Sequence, residues 1–244
     1  MTRISLALVT AAAIAFCVVY LGVGDGMAGF QAFASSSNDS RVEATRPARR
    51  IVIGIDLTRS NPIIDDRGFA SKVAARVRTM IERLGFASEV HVRTFGAYNA
   101  TENSFYYDAK ISIHSRPDVV AAEVAKLIAS TPILVEAGKW HAQDTTNVLA
   151  FLDNAAHSFG CDGMPTDVVL ASDGMEDSEY VRLKRPGAQL PAPQGAPFKG
   201  CQGLYIFGLG QGQTSPAHTI EMRNQWQRWA SAAGFATFTG LNDW

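Results

Sequence analysis

The run Ile51-Val52-Ile53-Gly54-Ile55 is apolar without a break and stops at Asp56. A strand with one wet face alternates apolar and polar residues, so an unbroken run points to a strand covered on both faces, as in a parallel sheet between helices. Asp167 to Ala171 is a second run of this kind, and Leu204 to Leu209 reads as a third strand. Between the runs the period changes. From Phe69 to Leu84 the residues Val73, Val77, Met80, Ile81 and Leu84 fall near one helical stripe, with Lys72, Arg76, Arg78 and Glu82 largely elsewhere, and Gly85 supplies a stop. Glu89 to Phe95 and Tyr106 to His114 alternate and are expected to pair as a hairpin across the polar stretch from Asn99 to Ser104. Pro117 opens a helix to about Ala129, a loop is expected from Ser130 to Asp144, and a helix from about Thr146 to Phe159. A Pro/Gly-rich loop covers Arg185 to Gly200. Ser215-Pro216 begins a helix reaching about Ala233 with Trp226 and Trp229 on its apolar side, and Phe235 to Thr239 is a last short strand. Strands alternating with helices predict an α/β, doubly wound, mostly parallel central sheet with helices on both faces, whose ligands gather at the carboxyl ends of the strands.

This domain is expected over residues 50–244, and 47 % hydrophobic residues suffice for its core. What precedes it is of another kind. Met1-Thr2-Arg3 is short and basic, and an apolar stretch runs from Ile4 to Val23 with no charge before Asp25. About twenty helical residues span a bilayer core, and the stretch exceeds the usual length of a cleaved signal's apolar region. Residues 1–24 are therefore read as an uncleaved signal anchor, touching the membrane through residues 4–23, with Arg3 inside and the domain on the periplasmic or outer side. The alternative is a signal peptide cut after Ala34, in Ala32-Phe33-Ala34, which releases the domain into the periplasm. Phe16 before Cys17 argues against lipidation. Residues 25–49, polar from Ser35 on, read as a flexible linker. A net charge of −1 gives no reason to expect nucleic-acid binding.

Three segments at the expected carboxyl ends carry oxygen ligands: Asp56-Leu57-Thr58-Arg59-Ser60, Asp144-Thr145-Thr146-Asn147 and Ser172-Asp173-Gly174. Carboxylates and hydroxyls together suit a hard divalent cation, Mg²⁺ first and Mn²⁺ or Ca²⁺ as substitutes. Without a metal the same residues have an ordinary use, because an Asp or Thr after a strand often caps the next helix. Asp153, Glu176 and Asp177 read as solvated surface charges, and His141 and His157 as exposed or satisfied histidines.

These segments resemble the metal-ion-dependent adhesion site of the von Willebrand factor A (vWA) family. That site uses a D-x-S-x-S loop, a distant Thr and a later Asp. Asp56, Thr58 and Ser60 match the first loop, with Thr in place of the first Ser, Thr146 matches the distant Thr, and Asp173 the later Asp. Ile206-Phe-Gly-Leu-Gly210 is similar to the family's next strand. Arg59 stands where small residues are common, placed either to crowd or repel a metal or to recruit an acidic partner. The resemblance implies a metal held by Asp56, Thr58, Ser60, Thr146 and Asp173, with one coordination position completed by an acidic side chain of a protein partner. Its strand order also makes the strands after Cys161 and Cys201 parallel neighbours, which places both cysteines at one end of the sheet and implies a disulfide; the alternative is two independent small residues. Cys17 is left unpaired.

Gly208-Leu-Gly210-Gln-Gly212 follows a late strand and has no acidic residue about 20 positions on in a strand, as a dinucleotide loop requires, and no G-x-S-x-G, HExxH or P-loop occurs. An aspartyl phosphatase needs an Asp where Thr58 stands. The expected function is thus non-enzymatic: an exported domain that binds a protein partner through a metal. The alternatives are a metal-dependent hydrolase, and a structural subunit of an envelope complex with no working metal.

Overall fold

The computed structural model describes residues 46–97, 105–213 and 215–242. The apolar stretch from Ile4 to Val23, Cys17 and the loop from Asn99 to Ser104 lie outside the described residues. Among the described residues no helix is long and apolar enough to cross a membrane.

The chain is α/β, with a six-stranded sheet: β1 (Arg50–Asp56), β2 (Glu89–Phe95), β3 (Tyr106–Lys110), β4 (Thr166–Ala171), β5 (Gly203–Phe207) and β6 (Thr237–Leu241). The spatial order is β3-β2-β1-β4-β5-β6. All neighbours are parallel except β2 and β3, which form the expected antiparallel pair. The helices are α1 (Arg67–Ile81), α2 (Pro117–Ala129), α3 (Thr131–Glu136), α4 (Val148–Phe159) and α5 (Pro216–Ala233).

The unbroken run of β1 is explained by two cores. Ile51, Ile53 and Ile55 pack with Val73 and Val77 of α1 and Val120 and Val124 of α2, while Val52 faces Leu152 of α4 and Trp226 of α5. The sheet is therefore a middle layer, and alternate residues of one strand feed opposite cores. Gly54 lies on the second face because nothing larger fits: a Cβ there would stand 2.7 Å from the ring of Phe151 and 2.9 Å from that of Phe95.

Several boundaries differ from expectation. The stretch from Ser130 to Asp144 is not all loop. Thr131-Pro132 starts the short α3, whose six residues are too few to show a period. The third strand stops at Lys110; Ile111 still enters the core, but Ile113 is exposed. The helix expected from Thr146 begins at Val148, with Asn147 as its cap. Phe235 is core packing ahead of β6, so the last strand starts two residues later than expected. The last residues of the expected linker lie against the domain: Arg46 Nη1 donates to the Glu82 carbonyl (3.0 Å), and Arg49 to Asp167 Oδ2 (2.7 Å).

Candidate metal centre

Asp56 closes β1, and its side chain is wholly enclosed. Oδ1 accepts from the Thr58 amide at 3.0 Å and the Thr58 hydroxyl at 2.7 Å, while Oδ2 accepts from the Ser172 hydroxyl at 2.7 Å. The Ser60 hydroxyl stands 3.5 Å from that of Thr58. Asp173 follows β4. Its Oδ1 accepts from the Met175 amide at 2.9 Å. Its Oδ2 is buried and accepts no well-formed hydrogen bond, although the Ser60 hydroxyl is near enough to favour the charged carboxylate. Asp56, Thr58, Ser60 and Asp173 are thus brought together. Thr146 is buried at the same edge but has no side-chain hydrogen bond to the other four.

Backbone pairing holds the three loops to one another. The Gln143 amide donates to the Leu57 carbonyl and the Arg59 amide to the Gln143 carbonyl, each at 2.9 Å, which binds the first loop to the second. Thr146 and Asp177 exchange amide-to-carbonyl bonds at 3.2 and 3.0 Å, which binds the second to the third. The third loop then folds back as a hairpin, with the Leu183 amide on the Glu176 carbonyl at 2.9 Å. Arg59 points away from the carboxylates to Asp144, Nε to Oδ1 at 2.7 Å, and adds a side-chain tie between the first two loops.

Burial is the main cause that raises the pKa of Asp56, and the neighbouring charge of Asp173 adds to it; hydrogen bonds from Ser172 and Thr58 act the other way. Burial likewise raises Asp173, opposed by the Met175 amide, Ser60 and the positive charge of Lys184. Two carboxylates in one enclosed space, with no ion pair to either among the described residues, favour holding a proton or a cation. Two carboxylates among hydroxyls suit a small hard cation that keeps waters better than zinc, which takes His and Cys. No group of three or more His, Cys, Asp or Glu side chains able to hold a metal occurs among the described residues.

No family model matches this chain, and no curated protein matches it. Among solved structures it is similar to the pilus adhesin SpaC from Lactobacillus rhamnosus GG in its open conformation, at 10 % identity and a TM-score of 0.45, over 82 % of this chain and 28 % of that one. It is also similar to the human COPII-coat protein Sec24c, at 10 % identity and a TM-score of 0.38, over 82 % of this chain and 30 % of that one. The chain thus spans less than a third of either protein. These neighbours include vWA-like folds, and the likeness is weak.

Four residues of this region have contacts that the sequence does not show. Asn61 is fully buried, and its Nδ2 donates to the carbonyls of Asp56 (2.8 Å) and Ala171 (2.9 Å), tying the ends of β1 and β4 together. Ser172 donates to Asp56. Trp226 of α5 donates from Nε1 to the Gly174 carbonyl at 2.8 Å and holds the turn after Asp173. Gly174 takes φ of +73° there, a conformation that suits glycine. Glu176 overturns its reading as a solvated surface charge. It is fully enclosed, with Oε2 accepting from the Leu149 amide at 3.1 Å and Oε1 from the Ser178 hydroxyl. The open amides at the start of α4 need an acceptor, and Glu176 supplies it from the third loop. Burial pushes its pKa up to about 7. Asp153 and His157 are exposed as expected, and Asp177 is half-buried with Arg182 3.5 Å away.

Cys161 and Cys201 form a disulfide, with Cα atoms 5.0 Å apart, at the amino end of β4 and β5, away from the three loops.

Proposed function

We propose that this chain is a vWA-like binding domain in which Asp56, Thr58, Ser60, Thr146 and Asp173 hold a divalent metal, Mg²⁺ or Mn²⁺, with Ca²⁺ as a substitute. The observation that carries the reading is the buried, unpartnered Oδ2 of Asp173 in the same enclosure as Asp56. A buried carboxylate oxygen without a donor is costly, and a cation removes that cost. A bound ion would supply a Lewis-acidic position open to a carboxylate from a protein partner. This chain's own residues orient that position: Thr58 and Ser172 fix the Asp56 carboxylate, and Trp226 fixes the turn beside Asp173. Residues 4–23 are taken as the membrane anchor and the domain as exported to the cell envelope. Protease added to intact spheroplasts should digest the domain, and full protection refutes the export.

The metal is tested by thermal melts with and without millimolar Mg²⁺. The wild-type chain should gain stability through linkage of binding to folding, and Asp173→Asn should gain none. An equal Mg²⁺ response in both proteins refutes the site.

A further inference from the structure

The charges around the three loops are unevenly paired. Arg59 is answered by Asp144 and Arg182 by Asp177, whereas Glu179 only receives Asn147 Nδ2, at 3.2 and 3.3 Å. That leaves the α4 side of the hairpin acidic. On its other side Lys184 and Arg185 are exposed and form no ion pair among the described residues. The hairpin fixes where they stand. With Leu183 bonded back to Glu176, Lys184 comes level with Met175, two residues past Asp173. Lys184 and Arg185 then line a cavity of about 480 Å³ with His218, Glu221 and Gln225. Glu221 is already engaged by Arg228 at 3.2 Å, and Gln225 by the Leu190 amide and the Ala188 carbonyl. The cavity therefore presents two exposed cations, with the His218 imidazole beside them and its Nδ1 3.2 Å from Gln213 Oε1.

We propose that the partner's recognition element is at least doubly acidic, with one carboxylate for the metal position and a second anion held in the cavity of Lys184, Arg185 and His218. This rests on the metal reading above and adds the class of ligand to it. A lone carboxylate would leave Lys184 with only its through-space attraction to Asp173 and Arg185 without an ion pair among the described residues. A second one gains charge-assisted hydrogen bonds there, and the acidic Glu179 side turns it away from the opposite direction.

The test uses the purified full chain saturated with Mg²⁺. Two capped glycine peptides are titrated by calorimetry, one carrying a single Asp and one carrying two Asp separated by one to three glycines. Wild type should bind the best di-acidic peptide roughly tenfold more tightly than the mono-acidic one, a difference that two exposed cations can supply. The variant Arg185→Gln should lose most of that preference, while its affinities for Mg²⁺ and for the mono-acidic peptide stay at the wild-type level. A wild type without preference, or a variant that keeps it, overturns the second anion site and leaves the metal reading standing. Absence of any Mg²⁺ heat overturns the metal reading itself, and the second site falls with it.

Discussion

At the amino end of the sheet Asp167 is buried with the Arg49 guanidinium against it at 2.7 Å, and the Cys161–Cys201 bond closes the chain nearby. At the carboxyl end Asp56 and Asp173 are buried with only hydroxyls and amides in contact. Both ends hold carboxylates whose pKa values are raised, burial being the first cause in each. The difference lies in what offsets the burial. Arg49 and the Gly203 amide offset the burial of Asp167 from within the chain, although its Oδ1, like Asp173 Oδ2, is buried without a hydrogen bond. Asp173 has an amide, that of Met175, but no guanidinium or ammonium in contact among the described residues, and Lys184 acts on it only through space. An end that needs no further charge is structural, and one that lacks a counter-charge is fit to receive a ligand.

The largest effect should come from the amino end. The disulfide closes a separation of 40 residues, and loop entropy assigns such a bond about 4 kcal/mol. Replacing both cysteines with Ser should lower stability by about that amount in urea melts, with the Mg²⁺-induced gain unchanged. A loss of that gain would show that the two ends are coupled.

The apolar runs made the sheet legible because burial on both faces is written into Ile51 to Ile55 of β1 and Val168 to Ala171 of β4. The helices were legible where four or five turns displayed a stripe. The α3 segment and the exact start of β6 were not, since six residues show no period and Phe235 is apolar for the sake of the core, not of a strand. The loop Asp-x-Thr-x-Ser was visible because its contacts are local: Thr58 bonds to Asp56 two residues away. Asn61, Ser172, Trp226 and Glu176 act across 110, 116, 52 and 27 residues, and no local pattern announces such partners. Glu176 was misread for that reason. A charged residue in a polar loop reads as solvated until the helix start that needs it is in view.

The second effect sharpens the contrast through pH. Glu176 has an ordinary value of 4.5 and a folded value of about 7. The folded chain then binds the proton more tightly than the unfolded one. The stability this contributes is complete below about pH 4.5 and is lost as pH rises through 7. The shift corresponds to a loss on the order of 3 kcal/mol. Glu176→Gln keeps an acceptor for the Leu149 amide and should flatten the fall between pH 5 and pH 8. Asp56 and Asp173 slope the same way, and Mg²⁺ should remove their share while leaving that of Glu176. Chemical denaturation at several pH values, with and without Mg²⁺, separates the two. A variant with the wild-type slope would show that Glu176 does not titrate in this range.

The smallest effect tests whether the counter-charge is what distinguishes the ends. Arg49→Gln makes the amino end resemble the carboxyl end, leaving Asp167 buried with its guanidinium gone. Arg49 is 41 % exposed, so water screens the pair and the loss should be only about 1 kcal/mol. Its sign depends on pH. Arg49 favours the ionised form of Asp167, so the pairing stabilises the fold above the pKa of Asp167 and fades as pH falls through it. The variant should therefore be weaker than wild type at pH 8 and nearly equal at pH 3. It should respond to Mg²⁺ as wild type does, because Asp167 has no hydroxyl-lined neighbour carboxylate with which to hold the ion. A loss of the same size at pH 3 and pH 8 would assign Arg49 a packing role instead, and a new Mg²⁺-dependent gain would show that any unpaired buried carboxylate in this sheet attracts the metal. The second outcome would remove the reason for placing the ligand at Asp56 and Asp173 alone.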